Sequence, residues 1–179
     1  ALMQDGELKM KTSNIQKAVS KYLENKVVDF RPIKSKDNSI EINSIKINEQ
    51  RLGKTHLINS NKKIVVEINY ISQKNNQDIC FSLGIFDIRI NSFIAYGHND
   101  LYSSFFKTKK KGVIRIETQI PYVRNGKYKL ITQCWLDTKQ VIDSTIIGEI
   151  FINSHNSIIK ESINNFPAVL VNNMKWFTD

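Results

Sequence analysis

Few residue types in this chain have spacing that could support chemistry. Gly53-Lys54-Thr55 has the composition of the end of a phosphate-binding loop. Such a loop needs an earlier glycine where Asn48 stands, and then a helix to aim amides at phosphate. A polar stretch and a strand pattern follow instead. His56, His98 and His155 are far apart, and none has a neighbouring ligand at metal spacing. They read as surface or loop residues, with His98 open to a place in a site. Asp137 and Asp143 have the residue type of a glycosidic acid–base pair, but their surroundings read as the flanks of a turn. Cys80 and Cys134 are the only cysteines, and neither has a base beside it. Each lies in a strand-like run, which favours two buried free thiols over a disulfide. The expectation is a protein that is not an enzyme, with no cofactor and no metal.

Trp135 is the residue that suggests binding. Along 128–137 it shares a face with Lys129, Ile131, Gln133 and Asp137. The other face carries Tyr128, Leu130, Thr132, Cys134 and Leu136. If that second set is core, the indole points outward from a sheet. An exposed aromatic beside amides and charges suits a sugar, because the ring stacks on the C–H face while polar groups take the hydroxyls. The same position also suits packing against another subunit or against the carboxy-terminal segment. Tyr128, beside Gly126 at a strand start, reads as a structural tyrosine corner.

The elements that would position these residues follow from hydrophobic period. Ser13 to Glu24 is helical in pattern. Ser13 and Gln16 form a capping box, and Ile15, Ala18, Val19, Tyr22 and Leu23 share one face. Residues 26–38, with Pro32 and scattered charge, read as a linker. From Ile40 the period becomes two. Ile40, Ile42, Ile45 and Ile47 predict a strand with a shift of face, the mark of a bulge. Further strands are predicted at 64–71, 79–85, 93–96, 114–120, 128–136, 146–152 and 168–171, with a polar tight turn at 89–92 and a loop at Gly97-His98-Asn99. Short strands between turn signals, with little helix, predict an all-β fold: an antiparallel β-sandwich preceded by one short N-terminal helix.

Composition sets limits on partners. The chain has 179 residues, 41% of them apolar, which suits one domain plus an appendage. No apolar run approaches the roughly 20 residues that span a bilayer, and no signal peptide is visible. A cytoplasmic location is expected. The net charge of +9 fits either solubility or an anionic partner. Its densest cluster is Lys107, Lys109, Lys110 and Lys111. Basic residues are not interleaved with aromatics in an RNP-like pattern, which argues against nucleic acid.

The order of motifs over residues 39–179 resembles the carboxy-terminal domain of the ATP-binding subunit of O-antigen polysaccharide exporters, the Wzt type of ABC transporter. The matching features are Leu83-Gly84-Ile85, Gly97-His98-Asn99, Ile120-Pro121 before Gly126-Lys127-Tyr128, Asp143 before a strand ending at Phe151, and Trp176. The first 25 residues resemble the end of a transporter nucleotide-binding domain. Leu2-Met3-Gln4-Asp5-Gly6-Glu7-Leu8 looks like a hairpin carrying "DGEL", and Ala18 to Leu23 like a closing helix. Met10 to Ser13 stand where a glycine usually follows that hairpin.

The resemblance implies an immunoglobulin-like sandwich, often a homodimer exchanging carboxy-terminal strands, that holds the modified non-reducing end of a finished O-antigen without cutting it. It implies a transmembrane partner for the full-length subunit at the inner face of the inner membrane, and no ATP hydrolysis by this chain, which lacks the ATP-binding core. It supplies no residue-level site. The site expected from the residues themselves is the outward face of the central strands. Trp135 would be the stacking platform, Gln133 and Lys129 hydrogen-bond donors joined by Ser82 and Phe86, and Arg89 and His98 anion contacts at the loop end. The excess charge favours a charged cap such as a phosphate or an acidic sugar. A protein-interaction module docking through the same face is the alternative.

Overall fold

Isoleucines set at every second position fold this chain into strands, because alternation places one row of β-branched side chains on one side of the pleat. The structure, a computed structural model, describes residues 2–4, 7–10, 30–51, 56–59, 62–99, 105–120, 123, 125–153, 170–171 and 174–179. In chain order the strands are β1 (Leu2–Gln4), β2 (Glu7–Met10), β3 (Ile33–Lys34), β4 (Ile40–Ile47), β5 (Gln50–Arg51), β6 (His56–Asn59), β7 (Lys63–Ser72) and β8 (Asp78–Asp87). They continue with β9 (Ser92–His98), β10 (Phe106–Lys107), β11 (Lys111–Gln119), β12 (Gly126–Leu136), β13 (Lys139–Asn153), β14 (Leu170–Val171) and β15 (Lys175–Thr178). The helix expected at 13–24 lies outside the described residues.

Two sheets form a β-sandwich. One runs β14-β9-β8-β12-β13-β6, with β10 added beside β8, and the other runs β15-β11-β7-β4-β3, with β5 beside β4. Their pairings are antiparallel except at two edges, where β6 runs parallel to β13 and β14 parallel to β9. Ile42, Ile45, Ile68 and Ile116 from one sheet and Phe81, Leu83, Ile85 and Leu130 from the other belong to a single buried cluster. Each such side chain contributes on the order of 1.5–3 kcal/mol by leaving water. Tyr70 and Phe81 meet across the sheets with ring centroids 6.0 Å apart.

Local detail follows the residues closely. The register between β4 and β7 shifts between Ile42 and Ser44. That bulge absorbs one residue and lets Ile40, Ile42, Ile45 and Ile47 all face the core, each 1% exposed or less. Gly112 lies opposite Tyr70, and a Cβ there would sit 2.3 Å from the tyrosine oxygen. Only glycine leaves room for that ring. Cys80 and Cys134 are buried free thiols.

Several boundaries differ from expectation. Ile33–Lys34, inside the stretch read as linker, pairs with β4. The strand after Gly53-Lys54-Thr55 is β6, whose pairing to a distant part of the chain no local pattern announces. The final strand is Lys175–Thr178, carrying Trp176 and pairing with β11, and follows the short β14 at Leu170–Val171. Leu2–Gln4 and Glu7–Met10 pair antiparallel, as the "DGEL" hairpin required. No helix among the described residues is long and apolar enough to cross a membrane.

Candidate functional site

The outward face of the β9-β8-β12-β13 sheet carries the candidate residues, and register determines which of them meet. Trp135 is paired with Cys80, Gln133 with Ser82, Ile131 with Gly84 and Lys129 with Phe86. On the other side of β8, Ser82 is paired with His98, Gly84 with Tyr96 and Phe86 with Phe93. Paired residues point to the same face, so these side chains form rows across the sheet.

A run of rings crosses these rows. Phe86 and Phe93 meet edge to face at 5.2 Å between centroids and Phe93 and Tyr96 at 5.4 Å, while Tyr96 and His98 lie tilted to each other at 6.1 Å. Gly84 makes the run possible. A Cβ at this position would lie 2.4 Å from Phe93 Cε1 and 3.3 Å from Tyr96 Cδ2. The rings occupy the space that a side chain on β8 would fill.

At one end of the ring run lies a cleft of about 280 Å³, lined by Asp78, Cys80, Tyr96, His98, Phe105, Trp135 and Thr138. Trp135, Tyr96 and His98 are partly exposed there, and Phe105 is 48% exposed. The cleft is mostly aromatic, with few polar groups. The Tyr96 hydroxyl donates to Gln133 Oε1 at 2.9 Å, while Gln133 Nε2 donates to Ser144 Oγ at 2.8 Å. Both ends of the Gln133 amide are therefore engaged, and they fix the Tyr96 ring. Asp78 pairs with Lys107 at 2.7 Å. Burial lowers the His98 pKa below its ordinary 6.5, so its ring is neutral at pH 7. Burial raises the Cys80 thiol to about 11, which leaves it protonated and a poor nucleophile.

The structure thus brings together part of the expected site. Trp135 and His98 line the cleft, and Gln133 lies beside it as a positioning group. Ser82 is 1% exposed and accepts the Gln133 N–H at 3.0 Å, so it supports the face from beneath. Lys129 and Phe86 occupy the same face but six residues along β12 from Trp135 in register, on the order of 20 Å away. His98 belongs to β9 and not to a loop.

Arg89 is occupied elsewhere. In the β8–β9 turn its Nε and Nη2 donate to Asp87 at 2.9 and 2.7 Å, Nη1 donates to the Asn125 carbonyl at 2.9 Å, and Nη2 donates to the Tyr128 hydroxyl at 2.6 Å. This network ties the turn to the start of β12, with Asp87 buried. Tyr128 is wholly buried and structural, as its sequence context suggested, although its hydroxyl meets a guanidinium.

The other residues screened for chemistry also find structural roles. Asp137 accepts the Gln77 side-chain amide at 2.9 Å and the Asp78 N–H at 2.8 Å, while Asp143 accepts Lys36 at 2.6 Å. His56 is not a surface residue. It is 8% exposed on β6, its Nε2 has no hydrogen-bond partner, and burial lowers its pKa. Gly53-Lys54-Thr55 and His155 lie outside the described residues. Among the described residues no group of three or more His, Cys, Asp or Glu side chains could hold a metal ion. Sequence reasoning missed Tyr96, Phe105, Asp78 and Thr138. Alternation along β9 could have given Tyr96 the face of His98, and Thr138 directly follows Asp137 at the turn after the Trp135 strand, but Phe105 comes from a segment whose position only the fold supplies.

No protein-family model matches the sequence, and no curated protein matches it. Among solved structures the chain is similar to a Niemann-Pick type C2 protein from the Japanese carpenter ant, with TM-score 0.47 at 6% identity over 70% of this chain and 100% of that one. It is similar also to the Pseudomonas fluorescens alkylpurine DNA glycosylase AlkC bound to DNA, with TM-score 0.42 at 12% identity over 64% of this chain and 30% of that one. Similarity to the C-terminal domain of Wzt reaches TM-score 0.51 at 10% identity and covers 78% of this chain and 86% of that domain. At that identity the likeness concerns the course of the backbone, and this chain has the β-sandwich fold of the Wzt C-terminal domain.

Proposed function

We propose that this protein binds a polysaccharide without cutting it, as the recognition domain of an ABC transporter subunit that selects finished O-antigen chains for export. The observation carrying this reading is the aromatic cleft around Trp135, open on an exposed sheet face and continued by the Tyr96–Phe93–Phe86 rings. Aromatic walls with a few fixed polar groups suit the C–H faces and hydroxyls of a sugar. At about 280 Å³, the cleft is near the lower bound of roughly 300 Å³ for small-ligand sites. That size suits the terminal unit of a chain better than an internal run. The backbone likeness to the Wzt C-terminal domain supports the transporter setting, with a cytoplasmic position at the inner face of the inner membrane.

The cleft favours an uncharged sugar over the charged cap expected from composition. Its carboxylate is paired with Lys107, its imidazole is neutral at pH 7, and Arg89 is engaged in the β8–β9 turn. A neutral ligand leaves these balances undisturbed. The test is a glycan array followed by calorimetry with Trp135→Ala. Loss of one stacking ring is expected to weaken binding by about 1–3 kcal/mol. Unchanged affinity with a lowered Tm would make Trp135 a packing residue and remove the reading.

A second reading has its own observation. The outward face of the same sheet exposes Ile146 at 51%, level with Ile131, and Leu57 at 39%, level with Lys127 at the end away from the cleft. Exposed apolar residues on one sheet face also suit docking of a protein partner. Capture of a partner that competes with no glycan would favour this alternative. We propose in addition a homodimer, with carboxy-terminal strands exchanged as the family resemblance implies. Light scattering of the whole chain is the measurement, and a monomer at all concentrations would reject it.

A further inference from the structure

Thr138 is an exposed threonine in the two-residue turn between β12 and β13, where Leu136 is paired with Lys139. Asp137 has φ 45° and Thr138 φ 72°. A hairpin turn of this kind needs left-handed backbone at both central positions and favours Asn-Gly. Aspartate tolerates that conformation, since its short polar chain can bond locally. A β-branched residue there is an outlier, because its Cβ substituents crowd the backbone. Among the described residues the other non-glycine positions with positive φ are Asn38, Asn48, Glu49, Asn76, Asn91 and Asp137, none of them β-branched.

The turn is held in place by the residue before Thr138. Asp137 accepts the Gln77 amide and the Asp78 N–H through its carboxylate, and its own N–H donates to the Asp78 carbonyl at 2.9 Å. These bonds fasten the turn to the start of β8 and over-determine the backbone that Thr138 must adopt. The threonine gains nothing visible in return. It is exposed, and its hydroxyl has no hydrogen-bond partner among the described residues. It does, however, line the cleft with Trp135, Tyr96 and His98. Strain maintained at the rim of a binding cleft, by a residue whose polar group is unengaged, is the pattern of a site that trades stability for ligand contact.

We propose that Thr138 is a specificity-determining residue of the cleft, kept in a strained turn so that its hydroxyl meets a hydroxyl of the bound sugar. This rests on the glycan reading of the cleft. Four variants separate the terms, each measured by thermal melting and by calorimetry with the tightest-binding neutral oligosaccharide from the array. Thr138→Gly removes both strain and hydroxyl, so Tm is expected to rise by roughly 2–4 °C while affinity falls about 3- to 10-fold. Thr138→Ala removes the hydroxyl and keeps a Cβ, so affinity falls similarly with a smaller change in Tm. Thr138→Ser keeps the hydroxyl and binds within about 2-fold of the native chain. Trp135→Ala reports on the cleft itself. Full affinity in both Thr138→Gly and Thr138→Ala, with Trp135→Ala defective, would overturn the role of Thr138 and leave the glycan site standing. No rise in Tm for Thr138→Gly would overturn the strain argument. Failure of the native chain to bind any glycan would overturn both the site and the role of Thr138.

Discussion

Gly84→Ala tests whether the ring run on the outer face belongs to the binding site. The new Cβ would meet Phe93 Cε1 at 2.4 Å, Phe93 Cδ1 at 2.7 Å and Tyr96 Cδ2 at 3.3 Å. Carbon atoms rest about 3.5–4.0 Å apart, so the Phe93 ring must withdraw by roughly 1–1.5 Å. It is partly exposed and can lift off the sheet without moving backbone. Lifting costs its edge contacts to Phe86 and Tyr96, at centroid distances of 5.2 and 5.4 Å. Each is worth about 0.5–1.5 kcal/mol, giving a loss on the order of 1–3 kcal/mol. Replacing glycine in a strand returns about 0.5–1 kcal/mol of backbone entropy.

The net expectation is a destabilisation of about 0–2.5 kcal/mol, with a midpoint near 1 kcal/mol or roughly 2–4 °C in Tm for a chain of this size. Binding should suffer as well, because Tyr96 shares the contact and its hydroxyl is aligned on Gln133. An affinity loss on the order of 10-fold corresponds to about 1.4 kcal/mol. Scanning calorimetry and glycan titration of the same sample measure both quantities. A lowered Tm with unchanged affinity would separate the ring run from the site. No change in either would refute the steric reasoning itself.

The matching change on the other sheet should act on stability alone. In Gly112→Ala the new Cβ meets Tyr70 Oη at 2.3 Å, and Tyr70 is only 2% exposed between the sheets. Overpacking there is expected to cost about 1–3 kcal/mol or more, with glycan affinity preserved in whatever protein remains folded at low temperature. Stability should also depend on pH through His56. Its pKa is lowered by burial, so below about 6.5 the unfolded chain binds a proton that the native chain refuses. Stability is therefore full above that pH and declines as pH falls below it. Denaturant melts at pH 7.5 and 5.5 should register the decline, and His56→Phe should reduce it; a slope of the opposite sign would exclude desolvation as the cause. Glycan affinity should change little between 50 mM and 500 mM salt, since screening acts on charge pairs and a neutral sugar offers none. A steep loss with salt would restore the charged cap.

Alternation of isoleucine with polar residues determined the strands, because a half-buried strand tolerates no other period. The three-residue step from Ile42 to Ile45 was enough to require the bulge. The same parity assigned Trp135, Gln133 and Lys129 to one face and Cys134 to the core. Parity, however, assigns a face without assigning neighbours. It could not say that β9 lies beside β8, which places His98 next to Ser82 and puts Tyr96 over Gly84. It could not tell that Asp87 and Tyr128 had already engaged Arg89. Those outcomes depend on long-range register, which is set by the packing of the whole sandwich. The cleft is the clearest case. Asp78, Tyr96, Phe105 and the Trp135–Thr138 stretch at the end of β12 come from separate segments, and only the closure of the sheet around β8 brings their side chains within reach of one ligand.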